Sequence, residues 1–492
     1  MLTIAPTKRI TAQLVVLRSI YDVKVVKGAE VKIIDAVNCT SGSCTVDNIV
    51  ATLTIYFPGI SSVHSYVKVN DGTDNSAVGG DVDNRTYKTD QVELAVLRST
   101  YDVKVVKGAE VKIIDNVDCT NATCVVEDIV ATLTINFPGI SSVHSYVKVD
   151  DGQGNSATGG DVDNRTYKTD TVALVVLRDV YDVRIVKGAQ AIIVDGVDCD
   201  AAACQINDIV ATLTVEFPGI SSVHTYVKVN DNTANTAGGG DVDNRTYKTD
   251  EVSLAVLRTY YDVRIVKGAS VYIADAVNCT SATCEVTDIV ATLTVNFPGV
   301  SSVHTYIKLN DGTPGTANGA DVDNRTYKSN QVILAVLQGT YDVRVVKGAA
   351  VNIFDAVNCT GSTCEINNSV TGSGTLDTAY GSPTVEFNTN AAPVGTFSIV
   401  YPSGTGHSYA GAVVSGQVVC VRFDGNTAYV AGKVTVSNSA TWLVNQYVRF
   451  GVQDGGTDGL NYTTGENGMP DCATFTHSAD LPLVAGDFAL LP

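Results

Sequence analysis

Val96-Leu97-Arg98, followed by Thr100-Tyr101-Asp102-Val103-Lys104-Val105-Val106-Lys107-Gly108, decides the architecture because it is not unique in the chain. Val16-Leu17-Arg18 stands eighty residues earlier, and the same interval recurs at Val176, Val256 and Val336, the last with Gln338 in place of the arginine. A fixed period of that length means one supersecondary unit copied head to tail. The 492 residues therefore read as an incomplete first unit (1–56), three full units (57–136, 137–216 and 217–296), a divergent last unit (297–372) and an unrelated tail (373–492).

Within a unit the apolar residues alternate, as in half-buried strands. Val63, Val67 and Val69 fall on one face, with His64, Tyr66 and Lys68 opposite. A loop rich in Asn, Asp and Gly runs from Asn70 to Gly80, followed by Asp81–Lys88 and a strand from Val92 to Leu97. Tyr101–Val106 and Val111–Ile114 form a hairpin across Lys107-Gly108-Ala109, where glycine supplies a positive φ. Val130–Phe137 is expected to close the unit, stopped by Pro138. Helical periodicity is absent, and short strands punctuated every eight to twelve residues indicate β-sandwich modules. The expected fold is all-β, a tandem array of sandwiches followed by a distinct C-terminal sandwich or barrel.

Charged residues make up 17% and hydrophobic ones 45%, which describes a packed chain and no disordered linker. A net charge of −19 disfavours nucleic acid and anionic membrane as partners, because both demand a basic patch. No apolar run approaches the roughly eighteen residues of a membrane span, so insertion is not expected.

The twelve cysteines divide into five equivalent pairs and one pair in the tail. The former are Cys39/Cys44, Cys119/Cys124, Cys199/Cys204, Cys279/Cys284 and Cys359/Cys364; the latter is Cys420/Cys472. Pairing at a repeated spacing suggests disulfides and an oxidising, extracellular compartment. Half of a zinc site is the alternative, but each unit offers only two cysteines and one distant histidine where four ligands are needed. The variable four-residue tips suit a clamp on a hairpin end, contributing about 2 kcal/mol by the chain-entropy model.

No signal peptide follows Met1, and the chain enters mid-unit, with Thr7–Val16 matching Tyr87–Val96. The expectation is an internal start or fragment boundary, with further repeats and a signal upstream. An open groove awaiting a partner's strand is the alternative. The tail, from about Thr371, is Gly- and Ser/Thr-rich and holds the only tryptophan, Trp442. Its strands are expected at Thr396–Tyr401, Val418–Phe423, Ala428–Ala431, Tyr447–Val452 and Leu481–Leu491.

Tyr66-Val67-Lys68-Val69-Asn70-Asp71-Gly72, Gly79-Gly80-Asp81-Val82 and Val92-Glu93-Leu94, with the hairpin quoted above, resemble prealbumin-like, carboxypeptidase-regulatory-like and Ig-like modules of bacterial surface proteins. Those modules serve mostly as spacers or adhesive units, and the likeness covers the repeats. The tail, with Gly416–Val421, Gly425–Gly432, Val452–Gly456 and Asp471-Cys472, resembles a small β-domain of unknown function in secreted bacterial proteins.

Asp71, Asp81, Asp83 and Asn84, with their counterparts Asp151, Asp161, Asp163 and Asn164, are hard oxygen ligands of the kind calcium takes. Their spacing matches no calcium loop, and Asx residues also build turns. Asp454, Asp458 and Asp471 in the tail pose the same choice. Asn84-Arg85-Thr86 is a glycosylation sequon, repeated at 164, 244 and 324. His64, His144, His224 and His304 lie among serines and tyrosines, but a hydrolase triad would stand once in a chain and demand an acid and an oxyanion hole. The His64/Tyr66 stripe could instead face a glycan or peptide.

The expectation is a secreted or cell-surface stalk presenting a tail domain, not an enzyme, with no cofactor unless calcium. The alternative is a multivalent adhesin whose repeats each bind an extracellular glycan or protein weakly.

Overall fold

The computed structural model describes residues 12–297, 302–348, 350–367, 369–378, 381–391, 394–404, 409–424, 426–440, 442–455, 458–463, 465–470 and 476–491. They are all-β, and none of their segments is a helix long and apolar enough to cross a membrane. The chain forms two compact units. One holds Met1–Thr212, Ala255–Thr259 and Cys279–Ala282; the other holds Leu213–Leu254, Tyr260–Asn278 and Thr283–Pro492.

In the first unit the chain opens with a hairpin, β1 (Ile20–Lys27) and β2 (Glu30–Asn38). The first complete copy follows as β3 (Val50–Tyr56), β4 (Val63–Val69), β5 (Asp81–Tyr87), β6 (Gln91–Leu97), β7 (Thr100–Lys107), β8 (Glu110–Asp118) and β9 (Thr123–Val126). These make two facing sheets, ordered β6-β3-β9 and β5-β4-β7-β8, and the pattern recurs from Val130, Val210 and Val290. Alternation places Val63, Ser65 and Val67 of β4 and Tyr101, Val103 and Val105 of β7 inward, all fully buried. Ala51, Leu53, Ile55 and Phe57 meet them from the opposite sheet to fill the core.

Two details differ from the sequence reading. The strand expected to close each unit opens the next: Val130–Asn136 pairs with Thr171–Leu177 and, in parallel, with Ala203–Ile206. Each sandwich thus runs from Val50 to Val126 and its equivalents, since a repeat's phase cannot be read from its period. The disulfide, likewise, does not clamp a hairpin end. Cys119 follows β8 in one sheet and Cys124 lies in β9 of the other, with Cα atoms 5.0 Å apart. It pins the corner where the chain changes sheets, which lets β9 run parallel to β3.

The β7–β8 hairpin turns at Gly108, whose φ is +60°. Further along, Tyr101 pairs with Val117 but Val103 with Ile114, so β8 carries an extra residue, a β-bulge. Asn116 sits there at φ 59°, and Ala36, Gly196, Ala276 and Ala356 take the same left-handed conformation in the other copies. Buried Asp102 holds the bulge by accepting the Asn116 N–H at 3.1 Å.

In the second unit the tail is a closed barrel of eight strands, a true barrel in place of the open sandwich-or-barrel choice. Ser369–Leu376, Thr384–Ala391, Val394–Val400, Val413–Asp424, Thr427–Ser437, Tyr447–Gln453, Gly459–Tyr462 and Leu481–Leu491 pair as an up-and-down meander, and the first strand pairs with the last. Phe387 and Phe397 meet Phe450 edge-on at 4.8 and 5.2 Å between ring centroids. Trp442 is buried against Tyr401, Tyr409 and Tyr462. The last sandwich is continuous with the barrel, because Ala350–Cys359 pairs in parallel with Val413–Asp424.

Candidate functional site

Consecutive copies in the first unit are locked together by one buried side chain. Glu110 stands just past the β7–β8 turn and is 1% exposed. Its Oε1 accepts the Leu177 N–H at 2.8 Å and the Tyr181 hydroxyl at 3.0 Å, both from the second copy. Its Oε2 pairs with Lys107 Nζ at 2.6 Å, and that ammonium also donates to the Val175 carbonyl at 3.1 Å. Tyr181 has the Leu177 carbonyl as a second acceptor, so its single proton serves two oxygens. Burial, reinforced by the Glu110 carboxylate, pushes the Tyr181 hydroxyl well above its ordinary value. Glu30 repeats the arrangement one junction earlier, accepting from Leu97 N–H (2.7 Å), Tyr101 (2.8 Å) and Lys27 (2.9 Å).

The rest of the junction follows from the same fit. A Cβ on Gly160 would lie 2.4 Å from the Ala109 side chain, so the glycine pair of the second copy leaves room for the turn of the first. Leu177 packs into the first copy's core, with Val175 beside it. Only Glu127–Ile129 separate β9 from the next strand, and Ile129 is buried. Sequence reading missed this lock. Glu110 looks like an ordinary polar residue beside a turn, and nothing local shows that its acceptors are met 67 residues downstream.

The residues expected as calcium ligands do not converge on one point; each is taken by its own donor. In the loop after β4, Asp71 accepts N–H groups of Thr73 (2.8 Å) and Val78 (3.2 Å) and the Ser76 hydroxyl, and these bonds hold its carboxyl below the usual range, the Thr73 bond foremost. Asp151 accepts from Thr158, Ser156 and Gln153 and is lowered to about 2, with the Thr158 hydroxyl the leading cause. Asp81 and Asp161 pair with Lys68 and Lys148 at 2.5 Å. Asp83 and Asp163 hold Arg85 and Arg165, and accept the Tyr87 and Tyr167 hydroxyls at 2.7 and 2.6 Å. Burial and these carboxylates push both tyrosines up to about 12. In the tail, Asp454 and Asp458 accept the backbone N–H groups of Leu490 and Phe488, and Asp471 lies outside the described residues.

Among the described residues, one trio of carboxylates does come together: oxygens of Asp150, Asp151 and Asp182 lie within 4.8 Å of one another. Asp182 is the counterpart of Asp102, and fully buried. In the first copy Asn70 Nδ2 donates to Asp102 at 2.6 Å, and Asn230 and Asn310 repeat this at 2.7 and 2.8 Å. Asp150 replaces that amide with a like charge. Burial first, with Asp150 and Asp151 adding, raises the Asp182 carboxyl above its ordinary value.

Asn84 and Asn164 accept His64 and His144 Nε2 at 2.6 and 2.7 Å, while the other ring nitrogen meets Thr86 or Thr166 at 2.9 Å. Each histidine tilts against its tyrosine, 4.4 Å between centroids for His64–Tyr66 and for His144–Tyr146. A cation from β7 or its equivalent covers the tyrosine ring: Lys104 at 5.8 Å, Arg184 at 5.5 Å, Arg264 at 5.3 Å and Arg344 at 5.5 Å. The four copies thus present one aromatic and cationic face each.

Cys39–Cys44, Cys119–Cys124, Cys199–Cys204 and Cys359–Cys364 are disulfides, and Cys279, Cys284 and Cys420 are also disulfide-bonded. Cys472, the expected partner of Cys420, lies outside the described residues. No protein-family model matches the chain, and no curated protein matches it.

Proposed function

We propose that the repeats form a secreted or cell-surface stalk whose modules resist bending against one another and present the barrel at the end of the chain. The observation that carries this is the burial of Glu110 in its neighbour, over a three-residue connection. Modules tied that closely share core and hydrogen bonds, so a spacer gains reach by adding whole repeats. The corner disulfides support an oxidising compartment. Deleting residues 130–209, one full period, tests the reading. The largest dimension in small-angle scattering is expected to fall by a fixed step, with binding by the barrel unchanged. An unchanged dimension would sink the stalk.

The repeated His64–Tyr66–Lys104 face favours a second reading, in which each module contacts an extracellular glycan or protein weakly. A glycan and matrix-protein array probed with the full chain and with the one-repeat deletion separates the two. Affinity falling with repeat number would make the repeats the adhesive.

A further inference from the structure

The outer edge of the last sandwich is occupied, while the equivalent edges of the first three are open. Val351, Asn352, Ile353 and Phe354 pair in parallel with Cys420, Val421, Arg422 and Phe423 of the barrel. Phe423 stacks on Phe354 at 5.4 Å, and Arg422, 2% exposed, brings Nη1 to 3.9 Å from Asp355 Oδ2. In the other complete sandwiches the counterparts of that strand, β8 (Glu110–Asp118), Gln190–Asp198 and Ser270–Asn278, are the last strands of their sheets and pair on one side only, while β2 belongs to the opening two-stranded hairpin.

We propose that these three edges each accept an extended, arginine-bearing strand from a partner protein, added in parallel as the barrel strand is added to Ala350–Cys359. Three observations carry this. First, Asp115, Asp195 and Asp275 stand where Asp355 meets Arg422 and make the same backbone bond, each accepting an N–H at Oδ2, of Asn75, Asn155 and Asn235, as Asp355 does from Gly315, but among the described residues no cation pairs with any of the three. Second, Val111 and Val271 are 37% and 42% exposed on the open edges where their counterpart Val351 is half-buried, and Ile113 and Ile114 are half-buried where Ile353 and Phe354 are buried. Third, Ala191–Val194 and Val271–Ala274 carry no charged side chain, the usual guard on an unpaired edge, and on β8 the one charge in Val111–Ile114, Lys112, is drawn to Asp200 at 3.3 Å.

The chemistry defines the occupant. Main-chain hydrogen bonds hold the strand, a guanidinium answers the aspartate, and the next residue is apolar or aromatic to cover position 114, 194 or 274. A second copy of this chain does not supply it, since each chain's Arg422 strand is already committed to its own Ala350–Cys359. The surface stands whether or not the array is a stalk.

The test uses the full chain and a fluorescent peptide of residues 417–424 carrying Cys420→Ser. Anisotropy is expected to show saturable binding of three peptides per chain. Arg422→Leu in the peptide is expected to weaken it at least tenfold, as is the triple change Asp115→Asn, Asp195→Asn, Asp275→Asn in the chain. Absence of binding, or equal affinity for the Arg422→Leu peptide, overturns the proposal; that peptide leaves the folded protein untouched.

Discussion

The junction built on Glu110 and the position occupied by Ser270 use the same socket with different keys. Ahead of Glu110 lie the Leu177 N–H and the Tyr181 hydroxyl, and the carboxylate satisfies both. At the equivalent place eighty residues twice over, Ser270 is 2% exposed and its short side chain offers the Tyr341 hydroxyl at most a poorly aligned contact, while Tyr341 gives its proton to the Leu337 carbonyl. Gln190 stands between them, accepting the Leu257 N–H at 2.8 Å. A repeat can therefore hold its backbone constant while the side chain at one buried position sets how firmly copies are coupled.

Truncating the two keys should break the symmetry most visibly. Glu110→Ala strands a buried N–H and unpairs Lys107, which costs about 3 kcal/mol. Ser270→Ala removes a hydroxyl with no well-formed hydrogen bond and should change stability by less than about 0.5 kcal/mol. Urea unfolding of the two variants checks this, with hydrogen exchange at the Leu177 amide as a local reading. Equal losses would mean that the key does not matter.

The corner disulfides permit the same kind of contrast. Cys119–Cys124 anchors β9, whereas the stretch after Cys44 forms no strand before Val50. Replacing Cys119 and Cys124 with alanine should cost about 2 kcal/mol. The same change at Cys39 and Cys44 should cost much less, and matched losses would argue against a corner that matters for pairing.

Asp150 separates the second copy from its neighbours. A carboxyl raised on folding, as Asp182 is, favours the folded state below its unfolded value of 3.8 and loses that contribution as pH rises through the folded value. Asp150→Asn restores the amide that Asn70 supplies and removes the like charge. It should stabilise the second copy by about 1–2 kcal/mol at neutral pH, with the gain vanishing below about pH 4. Asp151 titrates with the opposite sign, being lowered to about 2, so the difference between variant and parent is the informative quantity. A gain that persisted in acid would exclude the carboxylate pair as its cause.

Much of this molecule was legible in its sequence, because alternation and period are local properties. Val63–Val69, Val92–Leu97 and the Gly108 turn lie where the pattern puts them, as do the strands at Tyr447 and Leu481 and the disulfides Cys39–Cys44, Cys119–Cys124, Cys199–Cys204 and Cys359–Cys364. What the pattern could not give is pairing at a distance. Val130–Asn136 reads equally well as an end or a beginning, and only its partners at Thr171 and Ala203 decide. Asp102 is an acid inside a strand whose burial no local pattern announces, and three donors converge on it: Asn70, the Asp71 N–H and the Asn116 N–H. The candidate calcium acids were visible as residue types, but their donors come from residues the spacing does not bring to mind, Lys68 above all.

The smallest contrast lies in the bulge. Gly196 and Ala276 occupy equivalent positions at φ 62° and 51°, and their N–H groups are held by Asp182 at 3.1 Å and Asp262 at 3.0 Å. Because the hydrogen bond is the same, the difference between the copies is the cost of a Cβ in the left-handed region, partly offset by the greater freedom of glycine when unfolded. Ala276→Gly should therefore stabilise its copy, and Gly196→Ala destabilise its own, each by about 0.5–1 kcal/mol. Opposite signs of similar size are the expected result in urea midpoints. Two losses would show that the bulge accommodates alanine without strain, and that what distinguishes the copies resides in their buried polar groups alone.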